Sequence, residues 1–243
     1  MRRLVLAIFC FVASGTPVLA HAVPSQILAR DLLVRESTPA LVYEWRVPPD
    51  VAAQPQLLAR LRSEARTTLT KMRRDAASEQ GERAKDKVPP RAYVHRETWT
   101  LTHDGPALIA MLAETYDDPG GAHGNTGHCT VYWDKRAQRT TTLAALFTDR
   151  SRAMARIAAE VCKQLNADPR RADRKAGECP PIAQPAVALS DGDDITCLMA
   201  TYSPYIAGPY SDGIFRIEAS LPDAARVLVK SAFRRDLLPS GYR

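Results

Sequence analysis

The 243-residue chain lacks most of the signatures by which a sequence declares a chemistry. No two of its five cysteines stand in a C-x-x-C pair. The usual spacing of a zinc site is therefore missing, as is the C-x-x-C-H of haem attachment. There is no G-x-S-x-G turn to expose a nucleophilic serine, and no H-E-x-x-H to set two histidines and a base on one helix face. No internal repeat and no low-complexity tract is present. Long apolar runs are absent too. The longest useful one, Leu4 to Val12, is far below the roughly 20 residues that cross a bilayer, so no transmembrane segment is expected.

That short run carries a different meaning. Arg2 and Arg3 precede it, and small residues follow at Val18, Ala20 and Ala22, which is the layout of an export leader over residues 1–20, cleaved after Ala20 or Ala22. Cys10 follows Phe9, a poor fit to a lipid-acylation site, and belongs to the leader. Four cysteines remain: Cys129, Cys162, Cys179 and Cys197. An even number in an exported chain points to disulfides, with three possible pairings. The favoured one joins Cys162 to Cys179, stapling the polar loop between them onto a helix end, and leaves Cys129 to pair with Cys197. Loss of Arg2 and Arg3 lowers the formal charge from +6 to near +4. This mild excess is mixed in sign. Arg170, Arg171, Arg174 and Lys175 alternate with Asp168, Asp173 and Glu178, as in a solvated loop, and no nucleic-acid motif accompanies them.

Leu41, Tyr43, Trp45 and Val47 alternate with polar residues, the period of a half-buried strand that Pro48 and Pro49 end. Pro55 opens a helix with Leu57, Leu61, Ala65 and Leu69 on one stripe. The polar stretch from Ala76 to Arg91 reads as a long loop. Strands over Tyr93–Thr102 and Ala107–Tyr116 flank His103-Asp104-Gly105-Pro106, strong turn chemistry for a hairpin. A further strand is expected over Gly127–Trp133, and a short helix entry over Thr140–Phe147. Met154, Ile157, Val161 and Leu165 form a second helical stripe. Strands Ala186–Ser190 and Ile195–Tyr202 flank Asp191-Gly192-Asp193-Asp194, and one more covers Gly213–Ala219. Ser220, Pro222 and Asp223 have the spacing of a capping box. Hairpins dominate this order, so the expected fold is α+β: antiparallel sheets with helices packed on one face.

Two stretches stand apart. Gly120-Gly121-Ala122-His123-Gly124 follows a strand and has the backbone freedom for a tight bend. Tyr202-Ser203-Pro204-Tyr205-Ile206-Ala207-Gly208-Pro209-Tyr210 combines three tyrosines with rigid turn residues. With Thr142-Leu143-x-x-Leu146-Phe147 between them, they resemble the envelope domain shared by RsiV-type lysozyme-sensing anti-sigma factors and the non-catalytic N-terminal region of PdaC-type peptidoglycan deacetylases. The resemblance covers most of the chain after residue 28. It implies two closely packed halves, 23–118 and 119–243, and an envelope ligand such as peptidoglycan or a lysozyme-like protein. The deacetylase's metal motif has no counterpart here.

The sequence therefore reads as an exported, periplasmic or secreted binding module without a cofactor. Gly120 and Gly121 make the bend, and His123, Tyr205 and Tyr210 border the ligand surface. Tyr202 and Tyr205 are expected to pack between sheet and helix, with Tyr210 freer. The alternative is a hydrolase acting on envelope glycans, with a metal held by His123, His128, Asp117 and Asp118, or an acid/base pair drawn from Asp117, Asp118, Asp193 and Asp194. The leader reading predicts a mature protein that begins at His21 or Val23. Intact-mass measurement on secreted or periplasmic protein checks this, and an unprocessed Met1 contradicts it.

Overall fold

The structure is a computed structural model and describes residues 29–172, 178–191 and 196–238. The leader with Cys10, and Asp173, Arg174, Lys175, Gly192, Asp193 and Asp194, lie outside the described residues.

Two sheets stack face to face, and each carries helices on its other face. The larger has six strands in sequential order: β1 (Leu33–Ser37), β2 (Leu41–Arg46), β3 (Tyr93–Asp104), β4 (Leu108–Asp118), β5 (Asn125–Asp134) and β6 (Arg139–Thr141). The alternation read in β2 is real, with Leu41, Tyr43, Trp45 and Val47 all buried. They meet Leu57, Leu61, Ala65 and Leu69 of α1 (Pro55–Lys85), and the Tyr43 hydroxyl donates to the Ala65 carbonyl at 2.8 Å. Each such large side chain contributes roughly 1.5–3 kcal/mol through burial.

Two expectations are corrected here. β2 and β3 run parallel, because the chain crosses over through α1 and returns to the same end of the sheet; the other pairs are antiparallel. The helix also continues through Ala76 to Lys85, where a loop was expected. Apart from Ser78 and Gly81, this stretch consists of Ala, Glu, Gln, Lys and Arg, all strong helix formers. It reads as loop only because it leaves the sheet and loses its apolar stripe. Arg83 pairs with Glu79 at 2.9 Å along it.

The smaller sheet holds β7 (Ala186–Asp191), β8 (Thr196–Tyr202) and β9 (Phe215–Ser220), all antiparallel. One face, with Val187, Leu189, Leu198, Ala200, Phe215 and Ile217, packs with Ala153, Ile157, Val161 and Leu165 of α2 (Arg150–Asn166). The other lies on the large sheet, where Ala186 and Ala188 meet Leu112. The Tyr132 hydroxyl of β5 crosses the junction to the Val187 carbonyl at 2.6 Å. The helix read after Ser220 shrinks to α3 (Asp223–Arg226), entered from Pro222 rather than from a Ser220 cap, because Ser220 is still paired in β9. A last turn, α4 (Arg234–Leu237), follows.

The disulfide Cys162–Cys179 is formed and anchors the end of α2 to the following loop. The pairing Cys129–Cys197 is not. Cys129 shares the α1-facing side of β5 with Val131 and Trp133, whereas β8 lies against the opposite side of that sheet. The large sheet itself separates the two thiols.

A β-bulge between Leu101 and His103 reverses the side-chain alternation of β3. It turns His103 from the α1 side toward the small sheet. There its Nδ1 lies 2.5 Å from Asp191 of β7, and its Nε2 lies 3.5 Å from Asp236 of α4. Burial works against the imidazolium, but Asp236 and Asp191 outweigh it and raise the pKa. His95, buried beside Tyr43, behaves alike: burial opposes its charge, yet Asp117 and Glu97 push it up to about 9. A histidine whose folded pKa is raised gives stability that is fully present below its unfolded value and lost as pH rises through the folded one. The melting temperature should therefore fall as the pH is raised from about 6.5 to about 9. Asp117→Asn should flatten that fall, as thermal melts across pH would show.

Candidate functional site

The loop between β4 and β5 and the loop after β8 come from opposite sheets and meet at one end of the stack. The first is built on two glycines. Gly120 has φ +94°, a conformation that costs any L-side chain, and its carbonyl accepts from Arg83 of α1 at 2.7 Å. Gly124 is packed so closely that a Cβ there would lie 2.4 Å from the Tyr116 ring. Gly121, read as part of the bend, shows neither constraint, since its Cβ position is open.

The second loop brings Tyr210 over His123, with ring centroids 4.4 Å apart, and Tyr205 beside Tyr210 at 5.5 Å. The Tyr210 hydroxyl donates to the Gly124 carbonyl at 3.2 Å, and the His123 Nδ1 lies 2.8 Å from the same oxygen. His123, Tyr205 and Tyr210 thus form one shelf of three rings. Tyr202 is buried as expected, but Tyr205 is not: it is 60% exposed. Its backbone has φ +70°, a left-handed conformation that is costly for an aromatic residue and that aims the ring outward.

The loop is held from below by two adjacent arginines read as merely solvated. Arg170 lies 3.9 Å over the Phe215 ring, pairs with Asp168, and donates to the carbonyls of Asp212 and Ile214. Arg171 is 5% exposed and donates to the carbonyls of Ala207 and Glu178. It lines a cleft of about 680 Å³ with Glu178, Cys179, Pro180 and the loop Tyr205–Pro209. Sequence reasoning missed it. A basic residue in a polar loop carries no sign of burial, and the disulfide that closes the loop is its only hint.

The residues proposed for a metal do not converge. Asp117 bonds His95 at 2.7 Å, and Asp118 pairs with Arg91 at 2.8 Å. His128 points to the small sheet, where its Nδ1 lies 3.0 Å from the Ser203 hydroxyl and its Nε2 lies 3.4 Å from Glu114. Among the described residues no three His, Cys, Asp or Glu side chains are placed to share an ion. Neighbouring strand positions face opposite sides, which also separates Asp117 from Asp118.

Ser203, His128 and Glu114 have the connectivity of nucleophile, base and acid. Burial, aided by Arg216 and opposed by Glu114, lowers the His128 pKa. Its side chain is wholly buried, however, and neither it nor Ser203 lines the cleft. The geometry suits a polar tie between the sheets.

No family model and no curated protein matches this chain. Solved structures similar to this chain include two of the DUF3298 family. One is a DUF3298 family protein from Pseudomonas aeruginosa PAO1, 19% identical with a TM-score of 0.49, over 82% of this chain and 91% of that one. The other is a member of the DUF3298 family from Bacteroides fragilis, 14% identical with a TM-score of 0.53, over 83% and 92%. The fold is similar to that of the Bacteroides fragilis protein. At this identity the likeness extends to the fold alone.

The glycines give a sharp test of the bend. Gly120→Ala should lower stability by about 1 kcal/mol, because alanine resists the positive φ. Gly121→Ala should leave the melting temperature unchanged. Equal effects at the two positions would contradict this assignment.

Proposed function

We propose that this chain is an exported, non-catalytic binding module of the bacterial envelope, periplasmic or secreted, related to the RsiV- and PdaC-type domains, with the glycan of peptidoglycan as its ligand. One observation carries the reading: three rings from two separate loops form an outward shelf, and Tyr205 adopts a costly left-handed backbone while its ring stays exposed. Sugar rings present apolar faces that stack on such rings, while hydroxyls and His123 supply hydrogen bonds. The loops are pinned by Arg83, Arg170 and Arg171, which lowers the ordering cost of binding. The Cys162–Cys179 disulfide supports an oxidising compartment. The metal-dependent alternative finds no convergent ligand set among the described residues.

Tyr205 is the residue to test, because its side chain makes no hydrogen bond among the described residues, whereas Tyr210 ties the two loops together. Tyr205→Gly removes the ring and suits the positive φ. It should reduce retention of the mature oxidised protein on purified peptidoglycan about fivefold or more, with an unchanged or slightly raised melting temperature. Immobilised lysozyme is the parallel arm. Retention there and not on peptidoglycan moves the ligand from glycan to protein, and retention on neither overturns the binding-module reading.

A further inference from the structure

The cleft beside the shelf is lined by a buried cation. Arg171 is buried, and no carboxylate pairs with it among the described residues. Its partners are neutral: the Ala207 carbonyl, the Glu178 carbonyl at 2.7 Å, and the Asn166 amide oxygen at 3.5 Å. A guanidinium carries five N–H groups. These three acceptors leave Nε without a partner and one Nη1 hydrogen unassigned. Burying an uncompensated cation is expensive, and folded chains usually supply an acid to offset it. Asp168 forms an ion pair with the neighbouring Arg170 and is lowered in pKa mainly by it, with a smaller contribution from the charge of Arg171, which it does not contact as an ion pair. The Arg171 guanidinium is bonded instead to Ala207 and Glu178, which line the cleft with it, and the exposed Tyr205 lines the same cleft.

We propose that this cleft is an anion subsite, in which Arg171 receives a carboxylate carried by a saccharide whose ring stacks on Tyr205. This rests on the glycan-binding reading and narrows it to acidic sugars. The low dielectric around a buried guanidinium strengthens its attraction for an anion, and the charge-assisted hydrogen bond that an open N–H gives a carboxylate is stronger than a neutral one. Glu178, an exposed residue that also lines the cleft, opposes this attraction and limits the affinity.

N-acetylmuramic acid and N-acetylglucosamine form a useful pair of probes, because they differ by one 3-O-lactyl ether group, which carries the carboxylate. Chemical-shift titration of the mature oxidised protein should show N-acetylmuramic acid binding about tenfold tighter, since a charge-assisted hydrogen bond is worth about that much. The preference should shrink as salt is added. Arg171→Gln should abolish it, with a melting curve to confirm folding. Glu178→Gln should enlarge it several-fold, and this variant leaves Arg171 in place should its own replacement fail to fold. Equal binding of the two sugars overturns the anion subsite and leaves the shelf intact. A preference that survives Arg171→Gln places the carboxylate elsewhere and also overturns it. Failure of both sugars to bind removes the glycan reading together with the subsite.

Discussion

β4 is the strand on which the rest of the molecule is assembled. Its six residues from Leu108 to Ala113 are all buried, because both faces of the strand are covered. Ile109, Met111 and Ala113 belong to the core under α1, while Leu108 and Ala110 join the core shared with α2. Leu112 receives the alanines of β7. A strand sealed on both sides reads as a continuous apolar run, and a one-residue slip would exchange its two cores. Its register therefore fixes where the β4–β5 loop emerges and where the small sheet docks. The three-ring shelf exists only because these two placements coincide.

Polar groups at the sheet junction add specificity to this packing. The bulge after Leu101 delivers His103 to Asp191 and Asp236, and the Asp236 carboxylate in turn accepts from the backbone of Ala107 and Leu108 at the start of β4. His128, Ser203, Glu114 and Arg216 form a second tie across the same junction. An imidazole or carboxylate enclosed there is costly unless its partners are in place, so these ties penalise wrong docking more than they strengthen right docking. Arg171 follows the same logic beneath the shelf, where its hydrogen bonds hold the Tyr205–Pro209 loop against the disulfide-closed one.

Much of the fold was legible in local patterns. The alternation in β2, the Leu57–Leu69 stripe and the turn chemistry between β3 and β4 each correspond to an observed element. Readings failed where the deciding contact was remote. The extension of α1 past Ala76 is polar, and polarity alone does not separate a solvated helix from a loop. The parallel pairing of β2 with β3 depends on the crossover through α1, which no short window contains. Cys129 and Cys197 have suitable strand settings but lie on either side of a sheet. Tyr205 reads as an ordinary core aromatic until its backbone conformation is known.

By itself the sequence determined what hydrophobic period, turn chemistry and cysteine parity can encode: the α+β class, most strands, the apolar stripes of both long helices, the Cys162–Cys179 staple, and the two unusual stretches around His123 and Tyr210. Each of these is a property of neighbouring residues or of composition. Tertiary structure decided which faces those residues share. It placed His123, Tyr205 and Tyr210 on one shelf, sent His128 and Asp117 apart, and enclosed Arg171 without an acid partner among the described residues. The physical reason is common to all three. Side-chain direction across stacked sheets depends on register and on a single bulge, and the burial of a charge depends on what folds over it. Both are set only when distant segments pack.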